Sequence, residues 1–255
     1  MYILSVDTTA KTAAVCLAKE DALQGLVPVS RLVLNSTVTH SESLLPMIGE
    51  ALSLAGVCLS QVDAFAITSG PGSFTGVRIG VSTVKGLAFS LNDSVPCIPL
   101  STLFCLALNL CAYGDNTIVC PLMDARREQF YNAIFSLRNK KPKRLCEDRV
   151  VTAKELVDEL CVKYPKKKIV VCGDGAALFY GLYKKYLDGK SLNVSMALPG
   201  DLLQDGFSVA RAGYDVLTSP SFDAARYSGS DLSPLYLRLS QAERERNERL
   251  SNENK

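Results

Sequence analysis

The chain has 255 residues, 47% of them hydrophobic and 21% charged, which places it inside the globular range and outside the disordered, fibrous and membrane ranges. Lysine and arginine number 28 against 26 aspartates and glutamates, so no global charge field points to nucleic acid or membrane, and any basic contact is local. The nine cysteines are odd in number, form no C-x-x-C pair and read as reduced core residues, which excludes a disulfide scaffold.

Residues 2–6 and 13–18 are short apolar runs separated by Asp7-Thr8-Thr9-Ala10-Lys11-Thr12, the pattern of two antiparallel strands around a polar turn, and 26–34 supplies a third strand. The opening run reaches Asp7 before a signal-peptide apolar region forms, so no secretion signal is expected. Ser41 then precedes Leu44, Leu45, Ile48, Ala51, Leu52 and Ala55, a helical stripe ending at Gly56, with Pro46 tolerated in the first turns. A strand over 64–68 runs into Ser69-Gly70-Pro71-Gly72-Ser73-Phe74-Thr75-Gly76, and Val77, Val81, Val84, Leu87, Ala88 and Leu91 mark a second helix. A strand over 95–100 and a helix from about Ser101 to Tyr113 follow; its apolar part is about half of the roughly 20 residues that span a bilayer.

The pattern then restarts. A strand over 117–122, a turn at Met123-Asp124-Ala125-Arg126-Arg127 and a strand over 129–137 echo the N-terminus. Thr152 and Glu155 make a capping box for the next helix. A strand over 169–172, the loop Gly173-Asp174-Gly175 and an apolar stripe through Leu178 and Leu182 repeat strand, loop and helix. Residues 201–217 read as helical, 234–238 as a short ordered segment, and 241–255 as a solvated charged tail.

Chemistry concentrates at a few places. A strand, a glycine turn and a helix N-terminus present backbone N–H groups to an anion, although glycines at 70, 72 and 76 match neither G-x-G-x-x-G nor a P-loop. A tight turn that seats the helix is the competing reading. Asp7, Thr8 and Thr9, with Asp124 in the matching turn, could face a cleft and hold a metal-bound phosphate, or could be turn chemistry alone. Gly76 and Gly80 form a notch at i, i+4 that reads as a helix-to-helix contact. His40 is the one histidine, so zinc sites with two histidines are excluded, and Gly72-Ser73-Phe74 is not a nucleophile elbow for a peptidase. The basic runs at 138–144 and 163–168 lack interleaved aromatics and read as solvated loops, with RNA phosphate contact as the alternative.

The blocks Ile3-Leu4-Ser5-Val6-Asp7-Thr8-Thr9, His40-Ser41-Glu42-Ser43-Leu44-Leu45-Pro46, Gly70-Pro71-Gly72-Ser73-Phe74-Thr75-Gly76-Val77-Arg78-Ile79-Gly80, Lys85-Gly86-Leu87-Ala88 and Met123-Asp124-Ala125-Arg126 together resemble the TsaB (YeaZ) family over about residues 1–238. The resemblance implies an α/β actin-like ATPase (ASKHA) fold of two ribonuclease-H-like lobes, divided here as 1–102 and 103–238, with a late helix packing back on the first lobe and a charged tail at 239–255. It also implies a cytoplasmic, non-catalytic subunit of the machinery that places N6-threonylcarbamoyl on adenosine 37 of tRNAs reading codons that begin with A. The paralogue TsaD carries an H-x-x-x-H metal motif, and the single His40 here leaves that motif incomplete.

The partners so implied are a TsaD-type catalytic subunit and a TsaE-type ATPase, with tRNA met through the complex and a homodimer as the substitute when the chain is alone. ATP and metal then belong to the partner subunits, and Asp7, Thr8, Thr9 and Asp124 are vestigial phosphate turns. The surface implied for the partner comprises His40, Glu42, Leu44, Leu45, Ile48, Gly70, Gly72, Phe74, Gly76, Arg78 and Gly80. An ATP-using kinase or hydrolase of the same superfamily is the alternative, and a glycoprotease-like peptidase ranks below it.

Overall fold

In the computed structural model, which describes residues 1–238, the chain builds two mixed sheets of matching plan. The charged tail at 239–255 lies outside the described residues. The first half runs β1 (Tyr2–Asp7), β2 (Ala13–Asp21), β3 (Gly25–Leu34), α1 (His40–Ala55), β4 (Ala64–Gly70), α2 (Phe74–Ser90), β5 (Cys97–Ser101) and α3 (Thr102–Leu108). The second runs β6 (Ile118–Asp124), β7 (Gln129–Asn132), β8 (Phe135–Arg138), β9 (Lys141–Arg144), β10 (Arg149–Thr152), α4 (Ala153–Lys163), β11 (Lys168–Cys172), α5 (Ala176–Leu182), β12 (Asn193–Met196) and α6 (Gly206–Leu217).

The first sheet has order β3-β2-β1-β4-β5, with β3, β2 and β1 antiparallel and β1, β4 and β5 parallel. The main path of the second, β10-β7-β6-β11-β12, repeats that order and those senses, and the β8–β9 hairpin adds to it along β6. The echo read in the sequence is therefore a duplicated unit, the arrangement of an actin-like fold with two ribonuclease-H-like lobes. All seven residues of β4 are buried, because helices cover both faces of a parallel centre, and so its sequence carries no alternation.

Helices α1 and α2 cover one face of the first sheet over Leu4, Val6, Val15, Leu17, Phe65 and Ile67. The other face meets α6 and part of α3. Leu103, Leu106 and Ala107 on the rest of α3 enter the second sheet's core, so this helix fills the space between the sheets. All nine cysteines are free thiols, and burial pushes Cys16, Cys97 and Cys120 up to about 12, which keeps them protonated and inert. No helix among the described residues is long and apolar enough to cross a membrane.

Several elements depart from the expectation. The strand expected over 129–137 is divided into β7 and β8, which continue one register against β6 on either side of Pro121. Proline has no N–H to donate, and the buried Asn132 amide spans the gap by donating to the Pro121 and Ala133 carbonyls at 3.1 and 3.0 Å. The basic run at 138–144 is a hairpin rather than a loop, turning through Asn139 and Lys140 at φ +50° and +57°. Helix α3 stops at Leu108 instead of reaching Tyr113, and α6 begins at Gly206 instead of 201. There Asp205 caps it by accepting from the Phe207 and Ser208 amides. The short strands β10 and β12 add to the expected plan.

Candidate functional site

We call the cleft the place where the C-terminal ends of β1 and β4 face those of β6 and β11, marked by the charge of Asp174 acting on Asp7 and by a C-terminal segment that reaches both Ser69 and Ala125. Asp7 ends β1 and is buried; its Oδ1 accepts from the Thr9 amide at 2.8 Å and the Thr9 hydroxyl at 2.7 Å. Burial drives its carboxyl up to about 6, the Thr9 bonds pull the other way, and the charge of Asp174 across the cleft adds a little to the rise. The Thr8 hydroxyl donates to the Gly76 carbonyl at 2.7 Å, and the Thr9 carbonyl accepts from the Ser73 amide at 2.6 Å. Asp7, Thr8 and Thr9 are thus engaged by their own chain.

The glycine loop is filled in the same way. A Cβ at Gly72 or Gly76 would fall on the carbonyls of Thr9 and Thr8, and one at Gly80 on the Thr8 hydroxyl. Gly70, at φ +129°, lies against the Leu235 carbonyl. Two expectations are corrected here. The notch of Gly76 and Gly80 receives chiefly Thr8 of the β1–β2 turn, with His40 at the start of α1 as the helix contact beside Gly76, and the Ser73 amide that an anion would need is already bonded. The tight-turn reading accounts for the loop, with Ser73 capping α2.

In the second lobe Asp124 ends β6, and its carboxylate accepts from the Arg126 amide at 2.7 Å. Arg126, Arg127 and Glu128 follow with φ between +56° and +65°, a run of left-handed residues without glycine. Asp174, in the loop between β11 and α5, accepts from the Asp124 amide at 3.2 Å. Protein crowded around its carboxyl pushes it up to about 6, and the neighbouring Asp124 charge acts in the same direction. The residue keeps solvent access, so the shift marks a packed lip of the cleft rather than a sealed pocket. The sequence signal for Asp174 is the second glycine loop, Gly173-Asp174-Gly175, which matches the first in the duplicated plan. No group of three or more His, Cys, Asp or Glu side chains among the described residues is arranged to hold a metal.

The remaining expected residues divide between core and surface. Leu44 and Ile48 are buried in the first lobe's own core, so they are corrected from a partner surface to packing residues. The Glu42 carboxylate accepts from the Thr39 amide and hydroxyl at 3.2 and 2.6 Å, bonds that hold it below the usual carboxylate range. His40 donates Nε2–H to the Ala10 carbonyl at 2.6 Å, which ties α1 to the β1–β2 turn, and its Cδ2 lies 3.3 Å from where a Cβ of Gly76 would stand. Phe74 and Arg78 are engaged by the chain's own C-terminal segment: the Tyr236 ring stacks on Phe74 at 4.7 Å, and Arg78 covers Phe74 at 3.8 Å while donating to the Tyr236 hydroxyl at 2.7 Å. The same segment bonds Leu235 to Ser69 at 2.7 Å and Arg238 to the Ala125 carbonyl at 2.9 Å, joining the lobes beside the cleft.

Among the described residues, what remains open is a two-helix face. On α1 it carries Leu45, Pro46, Gly49 and Ser53; on α2 it carries Ile79, Ser82, Gly86 and Phe89. Leu45 is 56% and Phe89 82% exposed, and no atom lies within 4 Å of a Cβ built at Gly49 or Gly86. A helical glycine costs about 1 kcal/mol relative to alanine, and no neighbour among the described residues explains either one.

The family model of TsaD, described as tRNA N6-adenosine threonylcarbamoyltransferase, matches residues 25–197. The tRNA threonylcarbamoyladenosine biosynthesis protein TsaB of Haemophilus influenzae is 35% identical over 131 residues, a stretch that spans 51% of this chain and 52% of that protein. The protein of the same name from Bacillus subtilis is 27% identical over 190 residues, 74% of this chain and 78% of its own. Among solved structures, a Pseudomonas aeruginosa protein described as similar to peptidase YeaZ superposes with a TM-score of 0.72 at 26% identity, covering 93% of this chain and 99% of that one. With more than half its length inside the TsaD family model, and with relatives that carry the TsaB and YeaZ names, the chain belongs to the TsaB (YeaZ) family, a paralogous branch of the TsaD fold.

Proposed function

We propose that this chain serves the biosynthesis of N6-threonylcarbamoyladenosine at adenosine 37 of tRNA as a subunit without an active site of its own. It pairs with a TsaD-type catalytic subunit, the pair recruits a TsaE-type ATPase, and tRNA, ATP and metal are met in that complex in the cytoplasm. The observation that carries this reading is the exposed face of α1 and α2, with Leu45, Ile79 and Phe89 around the open glycines Gly49 and Gly86 and with Glu42 on the same stripe of α1. Small residues let helices approach closely, and burying the apolar side chains would contribute on the order of 1.5–3 kcal/mol each.

The cleft residues support the same reading through position rather than chemistry. Asp7 fixes Thr9, Thr9 fixes Ser73, and Thr8 fixes Gly76. Together with His40 on Ala10, these bonds set the entry of α2 relative to α1 and so the shape of the docking face. Residues that resemble phosphate turns here orient helices. In isolation the same face would pair two copies of the chain.

Reconstituted tRNA modification tests the proposal. Omitting this chain should abolish product formation, wild type should restore it, and Leu45→Asp and Gly86→Leu should restore it poorly while melting as wild type does. Restoration by both variants would count against the face. An ATP-using kinase or hydrolase is the second reading, favoured by Asp7, Asp124 and Asp174 facing one cleft; tight magnesium-ATP binding to the isolated chain in calorimetry would support it instead.

A further inference from the structure

The two basic runs are far apart in sequence, and the fold brings them to one end of the second lobe. Lys168 opens β11 beside Asn193 of β12, one residue before Ile169 pairs with Ile118 of β6. Ile118 faces Ser136 of β8, Ser136 faces Lys143 of β9, and Arg138 faces Lys141 across the hairpin turn. Strands in a sheet lie about 4.8 Å apart, so the β9 and β11 rows stand about 14 Å from each other. This end is opposite the cleft, which lies at the C-terminal ends of β6 and β11.

Arg138, Lys140, Lys143, Lys166, Lys167 and Lys168 are all exposed, and none forms an ion pair among the described residues. Lys141 and Lys163 are paired, with Asp215 and Glu159. Asp115, next to Asn116, and Asp215, the partner of Lys141, are the exposed acids that the structure places at this end. A chain of near-zero net charge thus carries a local cationic surface. Asn116 and Asn139 stand between the rows, and Lys168 lies 5.6 Å over the Tyr113 ring. The surface offers charge and hydrogen bonds, the groups that hold phosphate.

We propose that this end of the second lobe binds the phosphate backbone of RNA, so that the chain contacts the nucleic-acid substrate directly and not only through its partner. The choice of RNA rests on the tRNA reading above; the surface itself rests on the register. Contacts of this kind hold phosphates without reading sequence, and they weaken steeply with salt.

Fluorescence anisotropy with an unmodified tRNA transcript and the full chain, between about 50 and 200 mM salt, tests it. Lys166→Ala/Lys167→Ala/Lys168→Ala and Arg138→Ala/Lys140→Ala/Lys143→Ala should each weaken binding about tenfold and reduce the logarithmic salt slope by about 2, because about three phosphate contacts are lost. Lys11→Ala/Lys154→Ala, at the cleft end, should leave both unchanged. Acetylation of Lys166, Lys167 and Lys168 should slow when tRNA is added.

Unchanged affinity and slope in both triple variants overturn the proposal, as does binding to phosphatidylserine vesicles with none to tRNA. Light scattering with the TsaD-type subunit separates this from the functional reading. Normal assembly with charge-independent RNA binding overturns the RNA surface alone, whereas failed assembly with charge-dependent RNA binding overturns the heterodimer and leaves the surface standing.

Discussion

The Thr8 hydroxyl donates to the Gly76 carbonyl at 2.7 Å and fills the space that Gly80 leaves on the buried side of α2. A threonine in a turn that looks suited to phosphate is therefore a spacer between β1 and a helix. The glycines of this helix divide by the side they face: Gly76 and Gly80 accept their own chain, and Gly86 is open.

That division predicts opposite effects from one substitution. Gly76→Ala drives a Cβ onto the Thr8 carbonyl and should lower stability by about 1–3 kcal/mol. Gly86→Ala meets nothing and should raise the stability of the isolated chain by up to about 1 kcal/mol. Urea melts of both variants check this, and equal losses would contradict it.

Asp7 predicts a pH dependence. Its folded carboxyl stands at about 6 against an ordinary 3.8, so between these values the folded state binds more protons than the unfolded one. Its contribution to stability is fully present below about pH 4 and is lost as pH rises through about 6. Asp7→Asn keeps an acceptor for Thr9 and removes the titration, so relative to wild type it should gain stability as pH rises from about 4 to 7, by at most about 3 kcal/mol. A difference between the two proteins that stays flat across that range would refute the assignment.

Tyr236 predicts an effect at a distance from the cores. Tyr236→Ala removes the stack on Phe74 and the acceptor for Arg78, and should cost about 1–2 kcal/mol. Limited proteolysis should then cut the segment around Leu235 and Arg238 faster than in wild type. Wild-type cleavage rates would show that the ring does not hold the segment.

Much of the fold was legible because its elements are locally self-consistent. The turn at Asp7-Thr8-Thr9, the α1 stripe ending at Gly56 and the Thr152–Glu155 capping box each carry their own signal, and the restart near Thr117 announced the duplication. What was misread depended on partners distant in sequence. Pro121 interrupts the strand opposite it, and the β8–β9 hairpin is hidden by its charges. At the site, residue types were legible and directions were not. Leu44 and Leu45 are adjacent in sequence, but only the structure turns one inward and the other to solvent. The notch of Gly76 and Gly80 has the spacing of a docking surface, and Thr8, distant in sequence, fills it.

The central claim is that the open face of α1 and α2 docks a TsaD-type subunit. Size exclusion with multi-angle light scattering on this chain, on that subunit and on their mixture measures it most directly. The account predicts a new species of one copy each, weakened by Leu45→Asp and by Gly86→Leu. Independent elution of the two proteins, with nucleotide and a TsaE-type ATPase present, would contradict it.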